Sequence, residues 1–205
     1  MPTQSHYFID DQNLPDDPRT FTYYYKEHAL RITTNSGVFS HGHVDEATDL
    51  LIKSIPPWER GPLREGGSLL DLGCGCGVAG IALGKAYNLR VTMADVNPRA
   101  LACAGRNCRE NGLRAELVLS DCFESIPGHF DTIVLNPPIH AGKEVVRRMF
   151  EGAAEHLAPG GGFYVVMLDK HGAKSAAAQL GALFGACGTL YKKKGCRVLF
   201  CEKNA

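Results

Sequence analysis

The stretch LLDLGCGCGVAG, residues 69–80, decides how this chain is read. LLDL is a short apolar run of the length a buried strand needs, and VAGIALGKAY, beginning at residue 78, has the length and composition of a helix. Between them stand Gly73, Gly75 and Gly77, with Gly80 in the first helical turn. Glycines at this density let a ligand approach the backbone closely. Gly75, Gly77 and Gly80 satisfy G-x-G-x-x-G, and Asp95 lies twenty residues after Gly75, which is the dinucleotide-binding spacing. That pattern admits two kinds of cofactor. A pyrophosphate seated on the helix N-terminus is poorly served by a carboxylate just before the loop, and Asp71 is there. A carboxylate at that point suits a ligand with a positive group, such as the ammonium of an amino-acid moiety.

Downstream the pattern repeats. RVTMAD reads as a second strand, and NPRALACAGRNCRENG as a helix with Asn97 as cap, Pro98 at its first position and Gly112 past its end. AELVLS, FDTIVLN and GGFYVVMLD are further strands, with helices near 143–157 and 173–185. Strands alternating with helices build βαβ units on a parallel sheet. The tail TLYKKKGCRVLFCE holds two strands joined by a short turn, and a hairpin pairs antiparallel. The expected fold is therefore α/β: a Rossmann-like, doubly wound, mostly parallel sheet with an antiparallel C-terminal edge hairpin. Upstream, TFTYYY and ALRITT flank KEH as a short N-terminal hairpin, followed by VFSHGHVDEATDLLIKSI, whose later part is helical and stops at Pro56 and Pro57. The expected organisation is a loosely held arm over residues 1–20, a hairpin-and-helix extension over 21–57 and the main domain over 58–205, opened by the connector WERGPLREGG.

Composition sets the outer bounds. A chain of 205 residues, 44% apolar and 21% charged, fits one soluble globular domain with an appendage. No apolar run reaches membrane-spanning length and nothing near the start reads as a signal peptide. Eight cysteines in such a chain fit a reducing, cytoplasmic setting better than disulfides. Cys74, Cys76, Cys103 and Cys108 have C-x-C…C-x₄-C spacing, which is not a usual zinc arrangement. His6, His28, His41, His43 and His129 show no metal spacing either, so no metal is expected. The zero net charge hides an asymmetry: from residue 140 onward there are ten Lys and Arg against five Asp and Glu. These cations come in knots, Lys143 with Arg147 and Arg148, Lys170 with Lys174, and Lys192, Lys193 and Lys194 with Arg197. Such knots read equally as a solvated surface or as a face for a polyanion.

In doubly wound sheets ligands bind beyond the carboxyl ends of the strands, so each strand end is read for chemistry. Asp95, ending RVTMAD, can accept from ribose hydroxyls, because Asn97 already serves as the helix cap. Asp121 in SDCFES can accept from an adenine amino group while the Cys122 amide donates to a ring nitrogen. The fourth end, NPPIHAGK at 136–143, is a stiff turn, since two prolines lock φ and donate nothing. Hydride transfer does not need it. A planar exocyclic nitrogen does: its lone pair is delocalised, and acceptors on its two N–H bonds reorient it toward an electrophile. The Asn136 side-chain oxygen and the Pro137 carbonyl are suited to that grip.

Together, D-x-G-x-G-x-G at 71–77, Asp95, Asp121 and N-P-P at 136–138 resemble class I S-adenosylmethionine-dependent methyltransferases that modify planar nitrogens. SGVFSHGHVDEATDLLI, NPPIHAGKEVV, HGAKSA and YKKKG are similar to the "methyltransferase small" family, whose RsmC-type members methylate the guanine N2 amine of 16S ribosomal RNA. The resemblance implies S-adenosyl-L-methionine as cofactor, with Asp71, Gly73, Gly75 and Gly77 at its methionine end. It places Asp95 and Val96 at the ribose, Asp121 and Cys122 at the adenine, and Asn136 beside the reacting groups. Asn136 and Pro137 would act catalytically on the target amine. Phe39, Pro138, His140, Lys143 and Arg147 would meet the substrate, with Thr48 and Phe39 closing over cofactor or base. The implied partner is ribosomal RNA or the small ribosomal subunit. Two departures are visible. The position after N-P-P is often aromatic in the family and is Ile139 here, so Phe39 or His140 must supply the stacking ring. Some members carry a related N-terminal domain, where this chain has an arm and a hairpin. His140 reads equally as base, stacking ring or loop packer. The same loop would serve a protein glutamine amide or adenine N6; a NAD-dependent oxidoreductase rests on the glycines alone, and a non-enzymatic RNA-binding module would not need an intact loop with Asn136. Oligomeric state is left open.

Overall fold

The computed structural model describes residues 14–56 and 63–204; the first part of the expected arm, Pro57 and the first half of the connector lie outside them. Two strands, β1 (Arg19–Tyr25) and β2 (His28–Thr34), form a hairpin. Helix α1 (Glu46–Ser54) follows, then β3 (Ser68–Leu72), α2 (Val78–Tyr87), β4 (Arg90–Asp95), α3 (Pro98–Glu110) and β5 (Ala115–Leu119). The second half runs β6 (Phe130–Leu135), α4 (Lys143–His156), β7 (Leu157–Leu168), α5 (Ala173–Phe184), β8 (Gly188–Lys193) and β9 (Cys196–Glu202).

The main sheet has the order β5-β4-β3-β6-β7-β9-β8. Its first five strands are parallel, and β9 pairs antiparallel with both β7 and β8, so the doubly wound sheet with an antiparallel edge is as the sequence predicts. Leu69, Leu70 and Leu72 of β3 are all buried, because helices cover both faces of the central strands. Strand β7 starts several residues earlier than its apolar run, and the slack is taken up by a register shift opposite Phe130 and Thr132. The chain order reverses between β3, whose successor β4 lies on one side, and β6 on the other. Leu72 pairs with both Ala94 and Leu135, so the residues following β3 and β6 emerge side by side at this switch point.

Helix α2 is apolar all round, which requires cover on its outer side as well. The hairpin and α1 provide it: Leu30, Ile32, Leu51 and Ile52 join one continuous core with Leu69, Ile81 and Val134. Two asparagines, Asn107 on α3 and Asn111 at its C-cap, stand in for a third strand beside the hairpin. Asn107 accepts from Thr33 N (2.8 Å) and donates to Thr33 O and Cys76 O (2.9 Å each). One turn on, Asn111 accepts from Arg31 N (2.9 Å) and donates to Arg31 O (2.8 Å). Edge backbone groups are thereby satisfied by side chains. Residues 14–17, within the expected arm, also have partners: Arg99 donates to Leu14 O (3.4 Å), and the Asp17 N–H to Asn35 Oδ1 (2.9 Å).

Candidate functional site

The glycine loop is built for close approach. Gly73, Gly75 and Gly77 all have positive φ (67°, 54° and 83°), and beside Gly73 and Gly75 nothing lies within 4 Å of where a Cβ would stand. Two carboxylates hold the loop from behind. Asp95 Oδ2 accepts from Gly75 N (2.8 Å) and its Oδ1 from Asn97 N (2.9 Å), while Asp71 Oδ2 accepts from Gly80 N (2.8 Å). Asn97 caps α3 by accepting from Arg99 N (2.9 Å), as its sequence position implies.

Two adjoining hollows open at the switch point. The larger, about 470 Å³, is lined by Gly73, Gly75, Asp95, Val96, Asp121, Cys122, Asn136, Pro137, Pro138 and His140 among others. The smaller, about 50 Å³, is bounded by Asp71, Gly73, Gly75 and Val78, and both reach Phe39, Asp45 and Asn136. Every cofactor-side residue expected from the sequence except Asp71 and Gly77 thus lines the larger hollow, and Asp71 lies in the smaller one. Gly77 lies close to Met93 and Ala104, where a Cβ would be tightly packed and its φ of 83° would be strained for any other residue.

Asp71 is 5% exposed, with one backbone donor on its carboxylate. Burial pushes its carboxyl up to about 7, opposed by the Gly80 N–H and reinforced by nearby Asp95. A folded-state pKa above the unfolded value means a contribution to stability that is complete below pH of about 4 and lost as pH rises through about 7. Thermal denaturation of the protein without ligands is therefore expected to show stability falling between those values, and Asp71→Asn to flatten the fall. An unchanged profile in the variant would place the proton elsewhere. Burial likewise raises Asp95, against donors from Asn97, Gly75 and Val96. It pushes the Cys76 thiol up to about 12 and Cys74 well above its usual value, so these cysteines stay protonated. Among the described residues no cluster could hold a metal ion.

On the acceptor side, the N-P-P turn passes into one turn of 3₁₀ helix over Ile139–Ala141, and Pro138 O accepts from Ala141 N (2.9 Å). The Pro137 carbonyl has no protein donor among the described residues. Asn136 Nδ2 donates to Thr48 Oγ1 (2.9 Å) and Asp45 Oδ2 (3.1 Å), which leaves Oδ1 as the free end of the amide. Asp45 is the residue that sequence reasoning missed. As an Asp ahead of a helical run it is legible as a cap of α1, but its second bond, to a residue 91 positions away, is not.

The expected substrate contacts separate into two groups. Phe39, Pro138 and His140 line the larger hollow, as do Ile139 and His171. His140 and His171 meet edge to face, with ring centroids 6.4 Å apart. Lys143 is exposed at the start of α4 and does not line it. Arg147 is engaged by Glu144 (3.0 and 2.5 Å) and Glu151 (2.5 Å) on the same helix, and Arg148 by Asp121 (3.1 Å) and Glu124 (2.8 Å). Lys143, Lys170, Lys174, Lys193 and Lys194 are exposed and form no ion pair among the described residues. Because Lys193 pairs with Cys196 and Cys196 with Leu168, the β8 lysines sit at the same end of the sheet as the hollow.

One side of the switch point thus carries buried carboxylates and open glycine positions, and the other carries the free Asn136 side-chain oxygen and the Pro137 carbonyl. The sequence profile of the methyltransferase small domain matches residues 29–200, and the chain belongs to that family. It is 36% identical over 202 residues to the uncharacterised protein YbxB of Bacillus subtilis, covering 97% of this chain and 98% of that one. It is 39% identical over 156 residues to ribosomal RNA small subunit methyltransferase C of Pasteurella multocida, covering 69% of this chain and 46% of that protein. Among solved structures, the T. thermophilus 16S rRNA N2 methyltransferase RsmC, in complex with AdoMet and guanosine, superposes with a TM-score of 0.82 at 32% identity, covering 93% of this chain and 52% of that chain. The chain therefore spans about half the length of these ribosomal RNA methyltransferases.

Proposed function

We propose that this chain transfers the methyl group of S-adenosylmethionine to the N2 amine of a guanine in 16S ribosomal RNA. The observation that carries the reading is the Asn136 amide, whose nitrogen is spent on Asp45 and Thr48 and whose oxygen is free beside the Pro137 carbonyl. Two acceptors at the end of β6 fit the two N–H bonds of one exocyclic amine. Gripped by both, the nitrogen loses conjugation with the ring and its lone pair is aimed.

The residues present fit the cofactor. The open Cβ positions at Gly73 and Gly75 leave room against the backbone, and buried Asp71 suits the ammonium of the methionine moiety. Asp95 is at the place for the ribose, and Asp121 and Cys122 border the hollow for adenine. Held there, S-adenosylmethionine would supply a sulfonium-activated methyl group, the electron pair of the broken S–C bond remaining on sulfur, while the methylated nitrogen would release one proton. No strong base is needed, since the nitrogen becomes acidic only after methylation. Because Asp71 holds its proton up to about pH 7 without a cationic partner, cofactor binding at pH 6 is expected to release up to about one proton. Calorimetry in buffers of different ionisation enthalpy measures it, and binding with no linked proton would remove Asp71 from the ammonium site.

Phe39, His140 and His171 supply ring faces around the acceptor in place of the aromatic absent at Ile139; stacking of one base on such a ring contributes about 1–3 kcal/mol. The exposed lysines at 143, 170, 174, 193 and 194 favour a polyanion over a protein as substrate, whereas Arg147 is held by carboxylates on its own helix and contributes less charge outward. An RNA substrate also agrees with the names of relatives such as the Pasteurella multocida protein, and a cytoplasmic setting, where the eight free cysteines would stay reduced, is part of the same proposal. The test offers labelled S-adenosylmethionine with small ribosomal subunits, free 16S RNA and ribosomal proteins in separate reactions. Label in RNA, falling steeply with added salt, is expected; label in protein would move the acceptor to a glutamine amide.

A further inference from the structure

We infer that Asp45 and Thr48 are positioning residues that set both the orientation and the acceptor strength of the Asn136 amide. The inference rests on the methyl-transfer reading and extends it to residues on α1, outside the strand ends that bear the rest of the site. A terminal amide torsion is broad and nearly two-fold, so an unrestrained Asn136 presents oxygen or NH₂ to the hollow with little preference. With NH₂ outward it would meet the N–H bonds of an amine donor against donor. The structure removes that choice. A carboxylate can only accept, so the nitrogen side of Asn136 must face Asp45 Oδ2 (3.1 Å), and its second N–H goes to Thr48 Oγ1 (2.9 Å).

The carboxylate does more than select a rotamer. An amide N–H bonded to a charged acceptor is polarised, and chains of hydrogen bonds strengthen one another. The Asn136 oxygen, at the other end of the same conjugated group, gains negative character. Positive charge develops on the gripped nitrogen as it is methylated, so the benefit is larger in the transition state than in the bound ground state. Asp45 is itself fixed by the backbone: its Oδ2 also accepts from Ala47 N and Thr48 N (3.1 Å each) as the cap of α1. That helix is anchored by fully buried Leu51 and Ile52 and by the Tyr23 hydroxyl, which donates to Asp49 (2.9 Å). A helix cap and the orientation of the catalytic amide are thus one carboxylate, and the extension preceding the glycine loop completes the site.

Asp and Asn are about equal as caps, which separates this role from a structural one. In the full chain, Asp45→Asn is expected to keep thermal stability and S-adenosylmethionine affinity near wild type while kcat falls roughly tenfold or more, the scale of a charge-assisted hydrogen bond. Thr48→Val is expected to lower kcat by a smaller factor, also without loss of cofactor affinity. The Asn136 side-chain amide resonances in a ¹⁵N–¹H spectrum are expected to move in Asp45→Asn, a readout that does not depend on turnover. Wild-type kcat in Asp45→Asn, or unmoved Asn136 resonances, would reduce Asp45 to a helix cap and overturn the inference. If instead the wild-type protein methylates no RNA while those resonances do move, the methyl-transfer reading fails and the positioning of the amide stands.

Discussion

Asn136→Ala is expected to lower the rate of methyl transfer by about a hundred- to a thousandfold, the cost of deleting one acceptor that serves a transition state. Affinity for S-adenosylmethionine is expected to stay within about threefold, since the groups assigned to its two ends, Asp71 and Asp95, are untouched. The fold tolerates the change. Asn136 lies just past β6, whose pairing with β3 ends at Leu135, so no ladder bond depends on its side chain. The partners it leaves behind stay satisfied: Asp45 still caps α1, and the Thr48 hydroxyl can turn to water at the edge of the hollow. Calorimetry for the cofactor and methyl-label incorporation for the rate separate the two effects. Turnover at the wild-type level would mean that something other than this amide grips the acceptor.

Asp95→Ala has the complementary expectation: affinity for S-adenosylmethionine drops by at least about a hundredfold, with a smaller effect on kcat at saturating cofactor. Two losses combine. The ribose hydroxyls lose a charged acceptor, typically worth about 1.5–3 kcal/mol per hydrogen bond. The glycine loop loses its tether as well, because Gly75 N and Asn97 N both donate to this carboxylate. Gly75 has φ of 54° and no neighbouring side chain to steady it, so an unpaired N–H there lets the loop relax from the shape the cofactor needs. Calorimetric titration decides the point, and unchanged affinity would remove Asp95 from the ribose.

The strand ends were legible because each carries a rule that acts locally. Gly73, Gly75 and Gly77 announce a backbone needing positive φ, Asn97-Pro98 a helix start, and Pro137-Pro138 a stiff turn. The alternation of strands and helices made a doubly wound parallel sheet legible, whereas the pairing of β3 with β6 appears only in the structure. What stayed hidden depends on pairs distant in sequence. Asp45 reads as a cap until α1 is seen against Asn136. Asn107 and Asn111 look like ordinary residues of a polar helix face until β2 is laid beside them. The cations show the same limit in the other direction. Arg147 and Arg148 read as a basic knot with Lys143, yet Glu144, Glu151, Asp121 and Glu124 occupy both guanidinium groups. The helical spacings of Glu144 and Glu151 from Arg147 were visible in the sequence, whereas the link from Arg148 back to Asp121 was not.

The Asn136–Pro137 grip is proposed to deliver an exocyclic guanine amine to the cofactor. Mass analysis of nucleosides from 16S RNA or small subunits, after incubation with the protein and methyl-labelled S-adenosylmethionine, tests it directly. The label is expected to be recovered as N2-methylguanosine and to disappear with Asn136→Ala. Label on a ring nitrogen, a ribose oxygen or a base carbon would contradict it, because none of those acceptors offers the two N–H bonds this site is shaped to hold.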